Sequence, residues 1–264
     1  MNKKYALQKK YFQELNEKIL RAENILFFCD YDGTLAPFNP VPAKAKALPE
    51  SIKSLRLIAE KENYYLSLVS GRKLSDLKNM IQFENANYAG SHGLEIELLK
   101  DNQIIHPFQA QNIDQKSKEI YQEIKEKYQA ESQVELEDKG FGIALHFNDE
   151  IMQKEISDEI NKKLQSTNYQ LLVGRKIVEL RPQGWNKGKA VNFIAKKMVE
   201  QFSLNNYLKI YIGDDRTDED AFKVIEAGIS IYVQNEDDLN TEAEYYLKDP
   251  HDTAKLLELL AGEA

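Results

Sequence analysis

Short runs of consecutive apolar residues alternate with amphipathic segments toward both ends of the chain. Residues 25–29 are apolar without interruption, and residues 64–69 and 208–212 are apolar except for Ser67 and Lys209. Such runs are typical of strands buried on both faces of a parallel sheet. Apolar positions outside these runs recur with the period of a helix. The helices predicted from this period cover residues 49–63, 73–81, 187–200, 217–226 and 251–260. The alternation of strands and helices predicts a parallel sheet with right-handed crossovers.

The pattern changes between residues 109 and 182, where apolar and polar positions alternate as in half-buried antiparallel strands. The strands predicted here cover residues 134–137, 141–147, 169–173 and 177–180, and the helices cover 112–129 and 150–164. This order is αββαββ. We therefore expect an α/β core formed by residues 1–108 and 183–264, with an N-terminal helix within residues 1–24, and a separate α+β domain formed by residues 109–182.

Acidic and hydroxyl residues follow three of the predicted strands. Asp30, Ser70 and Asp214 each come directly after or within two residues of an apolar run. Because ligands bind outside the carboxyl ends of parallel strands, we expect these side chains to share one site. Clustered carboxylates need a compensating cation, and oxygen ligands favour a hard ion such as Mg²⁺. The alternative is that Asp-x-Asp-Gly-Thr at 30–34 is a simple turn, but the similar endings of the other strands favour a site.

Composition and charge narrow the possible functions. Lys and Arg number 35 against 43 Asp and Glu, which gives a net charge of −8 and disfavours nucleic acid or an anionic membrane as partner. A single cysteine, Cys29, excludes an intramolecular disulfide and a cysteine-rich zinc site. No apolar run is long enough to span a membrane, and residues 1–24 contain no signal-peptide core. We therefore expect a soluble, cytoplasmic protein.

Four motifs of the chain resemble those of the haloacid dehalogenase superfamily of phosphotransferases. They are Asp30-Tyr-Asp-Gly-Thr34, Ser70, Lys187 and Gly213-Asp-Asp-Arg-Thr-Asp-Glu-Asp220, and they occur in the superfamily's order. More narrowly, the chain resembles the trehalose-6-phosphate phosphatase family. This narrower resemblance rests on Ser70-Gly71-Arg72, Gly90-Ser-His-Gly-Leu-Glu95, Glu179-Leu-Arg-Pro182 and Gly213–Phe222. The resemblance implies a Rossmann-like parallel-sheet core with an inserted α+β cap domain that closes over the site.

The resemblance also implies roles for the motif residues. Asp30 would be the nucleophile that forms an aspartyl-phosphate, and Asp32 would be the general acid and base. The Mg²⁺ ion would be held by Asp30, by the backbone carbonyl of Asp32 and by Asp214, with Asp215 and Asp218 as further ligands or partners through water. The phosphate would be bound by Ser70, Gly71, Lys187 and Thr34.

A disaccharide leaving group would be recognised by polar side chains of the cap. By resemblance, the cap candidates are Lys139, His146, Lys176 and Glu179, followed by Arg175 and Arg181, and the core candidates are His92 and Glu95. Each has a structural alternative. Glu179 can be a solvated strand position, lysines at turns are usually exposed, and His146 can be a half-buried histidine with ordinary hydrogen bonds.

The function expected from these motifs is Mg²⁺-dependent hydrolysis of trehalose 6-phosphate to trehalose and phosphate. The same chemistry on sucrose phosphate or mannosylglycerate phosphate remains open, because specificity depends mainly on the cap. A sugar phosphomutase and a non-catalytic regulatory subunit are the further alternatives, and the presence of both Asp30 and Asp32 disfavours the second. No synthase-like region is fused to these motifs, so a trehalose-phosphate synthase linked to this function would be a separate chain.

Overall fold

The computed structural model of the chain describes residues 3–39, 42–101, 103–109, 113–174, 176–235 and 240–262. The strands are β1 (Lys4–Tyr5), β2 (Asn24–Cys29), β3 (Tyr64–Val69), β4 (Ala86–Gly90), β5 (Glu95–Glu97), β6 (Ile104–Ile105), β7 (Val134–Asp138), β8 (Ile143–Phe147), β9 (Tyr169–Gly174), β10 (Ile177–Pro182), β11 (Tyr207–Gly213), β12 (Ile229–Val233) and β13 (Tyr245–Leu247). The helices are α1 (Lys9–Arg21), α2 (Pro49–Glu60), α3 (Leu74–Met80), α4 (Gln115–Gln129), α5 (Glu150–Lys163), α6 (Lys187–Phe202), α7 (Glu219–Phe222) and α8 (Pro250–Ala261).

Residue contacts divide the chain into two units. One unit runs up to Ile105 and resumes at Asn186, and the other is His106–Trp185. Within the described ranges, no helix is both long enough and apolar enough to cross a membrane.

The first unit contains a nine-stranded sheet in the order β1-β13-β12-β11-β2-β3-β4-β5-β6. In this order, the seven strands from β1 to β4 all pair in parallel with their neighbours. The strands β5 and β6 then add antiparallel pairings at one edge. The predicted parallel-sheet core is therefore confirmed. Because β2 pairs with β11 on one side and β3 on the other, the ends of the three apolar runs are neighbours in the sheet.

The central strands are apolar because both of their faces are covered. In β2, Ile25, Phe27 and Cys29 join a buried cluster that includes apolar residues of α1, α2 and α8. Leu26 and Phe28 alternate to the opposite face, and all five residues are fully buried. Helix α6 contacts the neighbouring strand β3. This covering fixes the central strands, and with them the residues that follow their carboxyl ends.

The second unit contains a four-stranded antiparallel sheet in the order β7-β8-β10-β9. Its elements follow the order α4-β7-β8-α5-β9-β10. Leu145 and Val178 are paired across β8 and β10 and are buried, whereas Glu137, His146 and Glu179 alternate to the other face. The alternation therefore gives this sheet one apolar face and one face with polar residues.

The prediction of a single helix over residues 217–226 is wrong. The structure forms a 3-10 turn at Arg216–Asp218, followed by α7, which ends at Phe222. After α7, the N–H groups of Val224 and Ile225 donate to carbonyls three residues back rather than four, so the chain continues as tight turns. The sequence pattern also gave no prediction of β1 and β13, which have two and three residues.

Candidate active site

Three strand ends meet at one edge of the larger sheet. Asp30 follows β2, Ser70 follows β3, and Asp214 follows β11. The backbone N–H of Asp30 donates to Ile212 O at 2.9 Å, which continues the β2–β11 ladder by one residue. Because these strands are adjacent and parallel, the residues after them lie together, as the sequence pattern predicts.

A buried ammonium group joins two of the carboxylates. Lys187 Nζ lies 2.9 Å from Asp30 Oδ2 and 2.7 Å from Asp218 Oδ1. Lys187 is the first residue of α6, which is capped by the Asn186 side chain as it accepts from Lys189 N. Lys187, Asp30 and Asp218 are all buried. This bond from Lys189 N to the Asn186 side chain fixes the start of α6, and so it places the Lys187 side chain between the two acids.

Asp218 is the most highly bonded carboxylate of the site. Besides Lys187, it accepts a hydrogen bond from the Tyr211 hydroxyl and bonds from the backbone N–H groups of Asp214 and Asp215 at 3.2 and 3.0 Å. Asp215 in turn caps the turn that contains Asp218. These bonds fix the loop after β11, and they orient the backbone that carries Asp214.

The Asp214 carboxylate lies against the turn after Asp30. Asn235 Nδ2 donates to Asp214 Oδ2 at 3.2 Å and to Gly33 O at 3.1 Å, and Thr34 Oγ1 lies 3.4 Å from Asp214 Oδ1. Gly33 has a φ of +69°, and a Cβ on it would lie 1.8 Å from Asp214 Oδ2. Only glycine fits this position, because the carboxylate occupies the space of a side chain.

Burial and mutual repulsion dominate the electrostatics of the cluster. Burial raises the pKa of Asp30 to about 8; Lys187 opposes the rise and Asp218 adds to it. Burial, followed by the charges of Asp30 and Asp218, also raises the pKa of Asp214 well above its usual range. For Lys187, burial favours loss of the proton, but Asp218 and Asp30 outweigh it and raise the pKa.

This arrangement is suited to a metal ion. Asp30, Asp214 and Asp218 each offer a carboxylate oxygen, and these atoms lie within 4.8 Å of one another. Asp30 and Asp218 are buried and Asp214 is half-buried, so three acids facing one ammonium leave excess negative charge, which a cation would neutralise. The described residues of the cluster therefore could bind a metal ion.

Asp32 and Ser70 are both in contact with Arg72. Arg72 donates two hydrogen bonds to the Asp32 carboxylate, each at 2.6 Å, and its backbone N–H donates to Ser70 Oγ at 3.2 Å. Gly71 lies beside the His92 ring, where an added Cβ would be 2.9 Å from Cε1. The Ser-Gly-Arg segment thus connects the end of β3 to the turn after β2.

The two remaining core candidates lie next to this segment. His92 is buried with a φ of +57°, and its backbone N–H donates to Ser70 O at 2.9 Å. Glu95 Oε2 accepts from Leu74 N, the first residue of α3, at 3.2 Å. The structure therefore gives Glu95 a helix-capping contact and places His92 against Ser70 and Gly71.

The second unit brings three of the predicted cap residues together. Lys139 Nζ donates to Glu179 and lies 4.0 Å from Glu137 Oε2, and His146 Nε2 lies 3.5 Å from the same Glu137 oxygen. We call Glu137, Lys139, His146 and Glu179 the sheet cluster. Lys176 lies in the β9–β10 turn, exposed and with a φ of +59°; Arg181 is buried in β10, and Arg175 lies outside the described residues.

Four residues of these sites had no role in the sequence prediction. Arg72 was part of a recognised motif without an assigned function, and Tyr211 lies three residues before Asp214. Glu137 could have been found, because it lies two residues before Lys139, and side chains two residues apart in an extended chain lie on the same face. Asn235 follows β12 and has no local signal in the sequence.

The sequence is similar to known phosphatases along most of its length. The profile of the family described as trehalose-phosphatase matches residues 28–251. Trehalose 6-phosphate phosphatase RA3 of Zea mays is 31% identical over 263 residues, which are 92% of this chain and 71% of the relative. Trehalose-phosphate phosphatase B of Arabidopsis thaliana is 32% identical over 254 residues, 91% of this chain and 67% of the relative.

Solved structures share the fold. The C-terminal domain of the C. albicans trehalose-6-phosphate phosphatase matches with a TM-score of 0.81 and 21% identity over 99% of both chains. The C-terminal domain of the Candida albicans trehalose synthase regulatory protein matches with a TM-score of 0.73 and 14% identity, over 97% of this chain and 99% of that one. At these identities the likeness shows the fold alone, and a fold can serve catalysis or regulation.

The profile match includes every carboxylate of the candidate site, from Asp30 to Asp218. The relatives named above are phosphatases, and they cover nine-tenths of this chain. The resemblance found in the motifs is therefore confirmed. The chain belongs to the trehalose-phosphatase family and is a phosphoric monoester hydrolase.

Proposed function

We propose that this protein hydrolyses trehalose 6-phosphate to trehalose and phosphate through an aspartyl-phosphate on Asp30, with Mg²⁺ as cofactor. The observation that carries the proposal is the buried Asp30 carboxylate, held 2.9 Å from Lys187 at a strand end beside Asp214 and Asp218. The named activity of the relatives supports the choice of substrate.

The donor set fits Mg²⁺. The ion prefers carboxylate and carbonyl oxygens and keeps sites for substrate phosphate. Its ligands would be Asp30, the backbone carbonyl of Asp32 and Asp214, with Asp215 and Asp218 nearby. When bound, Mg²⁺ supplies positive charge to the phosphate oxygens and favours ionised Asp30.

In the first step, a carboxylate oxygen of Asp30 attacks phosphorus, and the bond from phosphorus to the sugar oxygen breaks. Asp32 gives its proton to that oxygen, so the sugar leaves as an alcohol. Lys187 reduces the repulsion between Asp30 and the incoming phosphate, because its ammonium lies against the attacking carboxylate.

In the second step, water attacks phosphorus, and the bond from phosphorus to the Asp30 oxygen breaks. Asp32, now a carboxylate, takes the proton of the water, and phosphate leaves. The phosphate oxygens would be held by Ser70, Gly71 and Thr34 in addition to Lys187, as the family motifs imply.

For sugar recognition we propose the sheet cluster together with Lys176, His92 and Glu95. The sheet cluster combines carboxylates, an ammonium and an imidazole, which can donate to and accept from sugar hydroxyls. Glu179→Gln should therefore raise KM for trehalose 6-phosphate more than it lowers kcat.

The experiment is phosphate release from a panel of sugar phosphates, with Mg²⁺ and with EDTA. We expect the highest kcat/KM for trehalose 6-phosphate, loss of activity in EDTA, and no activity in Asp30→Asn. Asp76→Asn changes an exposed acid of α3 and is the matched control.

Other results would replace the proposal. Stronger hydrolysis of sucrose phosphate or mannosylglycerate phosphate would identify another substrate, and conversion of a hexose 1-phosphate to the 6-phosphate without phosphate release would identify a mutase. Activity that persists in EDTA would contradict the metal role. An unchanged biological role in Asp30→Asn would indicate a regulatory protein.

A further inference from the structure

A guanidinium fork holds the carboxylate of Asp32. Arg72 Nε donates to Asp32 Oδ2 at 2.6 Å, and Arg72 Nη2 donates to Asp32 Oδ1 at 2.6 Å. Two such bonds fix the plane of a carboxylate as well as its position. The Asp32 side chain is 44% exposed, so packing restrains it less than these two hydrogen bonds do.

The Arg72 side chain is itself restrained. Its guanidinium carbon lies 5.5 Å from the centre of the Tyr31 ring, whose hydroxyl is bonded to two backbone groups of the loop that follows. Its backbone N–H donates to Ser70 Oγ, and its side chain is 12% exposed. The fork therefore connects Asp32 to a fixed aromatic ring and to the end of β3.

We infer that Arg72 is a positioning residue for the two proton transfers of Asp32. This inference rests on the proposed role of Asp32 as acid and base. A proton donor acts only within hydrogen-bond reach of the departing oxygen, and an exposed aspartate on a turn otherwise samples several rotamers. Each Asp32 oxygen that accepts from Arg72 keeps a second lone pair, which carries the transferred proton.

Proton transfer gives this role a specific kinetic signature. In the first step the proton passes from Asp32 to the sugar oxygen as its bond to phosphorus breaks. A nitrophenolate can leave without that proton, whereas a sugar oxygen needs the proton in order to leave. Loss of Arg72 therefore slows phosphate transfer from a sugar ester more than transfer from a nitrophenyl ester.

The experiment compares kcat/KM for trehalose 6-phosphate and p-nitrophenyl phosphate in Arg72→Lys, which keeps the charge and loses the fork. We expect the loss on the sugar ester to exceed the loss on the nitrophenyl ester by about tenfold or more. The effect on the sugar ester is expected in kcat, with KM changed less. In Arg72→Ala, added guanidinium chloride should restore sugar-ester hydrolysis in preference to nitrophenyl-ester hydrolysis.

The matched control is Arg21→Lys, because Arg21 also pairs with a carboxylate, Glu17, but on the exposed surface of α1. This control should hydrolyse both esters at the rates of the unchanged protein. Equal losses on both esters in Arg72→Lys would overturn the inference, since a structural role predicts them. Faster sugar-ester hydrolysis would also overturn it, because the fork would then hold Asp32 out of position.

Asp32→Asn separates this inference from the proposed function. If Asp32→Asn loses sugar-ester hydrolysis selectively and Arg72→Lys does not, the inference about Arg72 fails and the proposed role of Asp32 stands. If Asp32→Asn is itself unselective between the two esters, the proposed role of Asp32 fails.

Discussion

At the scale of single residues, the buried Lys187 ammonium between Asp30 and Asp218 is the contact on which the site depends most. Lys187→Met keeps much of the side-chain volume and removes the charge. We expect a loss in kcat of about 100-fold or more, because the attacking carboxylate loses its cation. We also expect a loss of about 3–5 kcal/mol in the free energy of unfolding, because two buried acids lose their partner. Phosphate-release kinetics and urea unfolding measure the two effects.

The matched control is Lys196→Met on the same helix. Lys196 lies 3.8 Å from Glu200, and its side chain is 75% exposed. An exposed ion pair of this kind contributes little, so activity and stability should stay unchanged within error. Similar losses in the two variants would show that the charge of α6 as a whole, rather than the contact at Asp30, is responsible.

A second residue-scale prediction concerns Gly33, whose missing side chain leaves room for Asp214. Gly33→Ala combines a φ of +69° with a Cβ placed 1.8 Å from Asp214 Oδ2. Gly140→Ala provides the control, because Gly140 has a φ of +77° and an added Cβ would have no atom of the described residues within 4 Å. We expect about 1 kcal/mol of destabilisation in the control and at least about 2 kcal/mol in Gly33→Ala.

Activity separates the two glycine variants further. Gly33→Ala must displace the Asp214 carboxylate, so it should lower kcat strongly, whereas Gly140→Ala should leave kcat nearly unchanged. Thermal unfolding and phosphate release check both expectations. Full activity in Gly33→Ala would mean that the position of Asp214 is not needed for catalysis.

At the scale of elements, helix α1 has a structural role that the motifs did not reveal. Leu15 is fully buried in the core cluster, whereas Leu20 on the same helix is 75% exposed. We expect Leu15→Ala to cost about 2–5 kcal/mol, because it leaves a cavity beneath α1, and Leu20→Ala to cost less than about 0.5 kcal/mol. Urea unfolding measures the difference. Equal costs would show that α1 is not packed on the core.

How well an element was predicted depended on the length of its pattern. The six-residue strand β3 matches its predicted bounds, because its run is apolar except for Ser67, is short, and stops at the turn residues Ser70 and Gly71. Strands β1 and β13 are too short to show any period. The helix predicted over residues 217–226 failed because Asp215 and Asp218 form a capped 3-10 turn at its start and tight turns replace its end.

At the scale of the whole molecule, the sequence predicted the residues that follow strands and missed those that support them. Asp30, Ser70 and Asp214 could be grouped, because parallel strands place their carboxyl ends at one edge. Tyr211 and Asn235 could not be, because their contacts depend on how a side chain crosses to a neighbouring loop. Such contacts are set by packing in three dimensions, and a periodic pattern does not encode them.

Ion pairs join the N-terminal elements β1 and α1 to the residue before β13, and they make the stability of the whole molecule depend on pH. Glu244, next to β13, lies 2.8 Å from Lys4 Nζ in β1 and 2.9 Å from Lys18 Nζ in α1. Burial opposes ionisation of Glu244, but its bonds to Lys4 and Lys18 outweigh burial and lower the pKa of its carboxyl below the usual value. A carboxylate with a lowered pKa stabilises the folded state above its ordinary pKa, and this stabilisation is lost as the pH falls through the lowered value.

Glu244→Gln should therefore lower the urea midpoint at pH 7, and the difference from the unchanged protein should shrink below about pH 4. Glu17→Gln is the control, because Glu17 pairs with Arg21 on the surface and its side chain is 67% exposed. That variant should show no comparable change at either pH. A midpoint difference for Glu244→Gln that stays constant from pH 7 to pH 3 would mean that the amide disturbs packing, and that the ion pairs do not hold the N-terminal segment to β13.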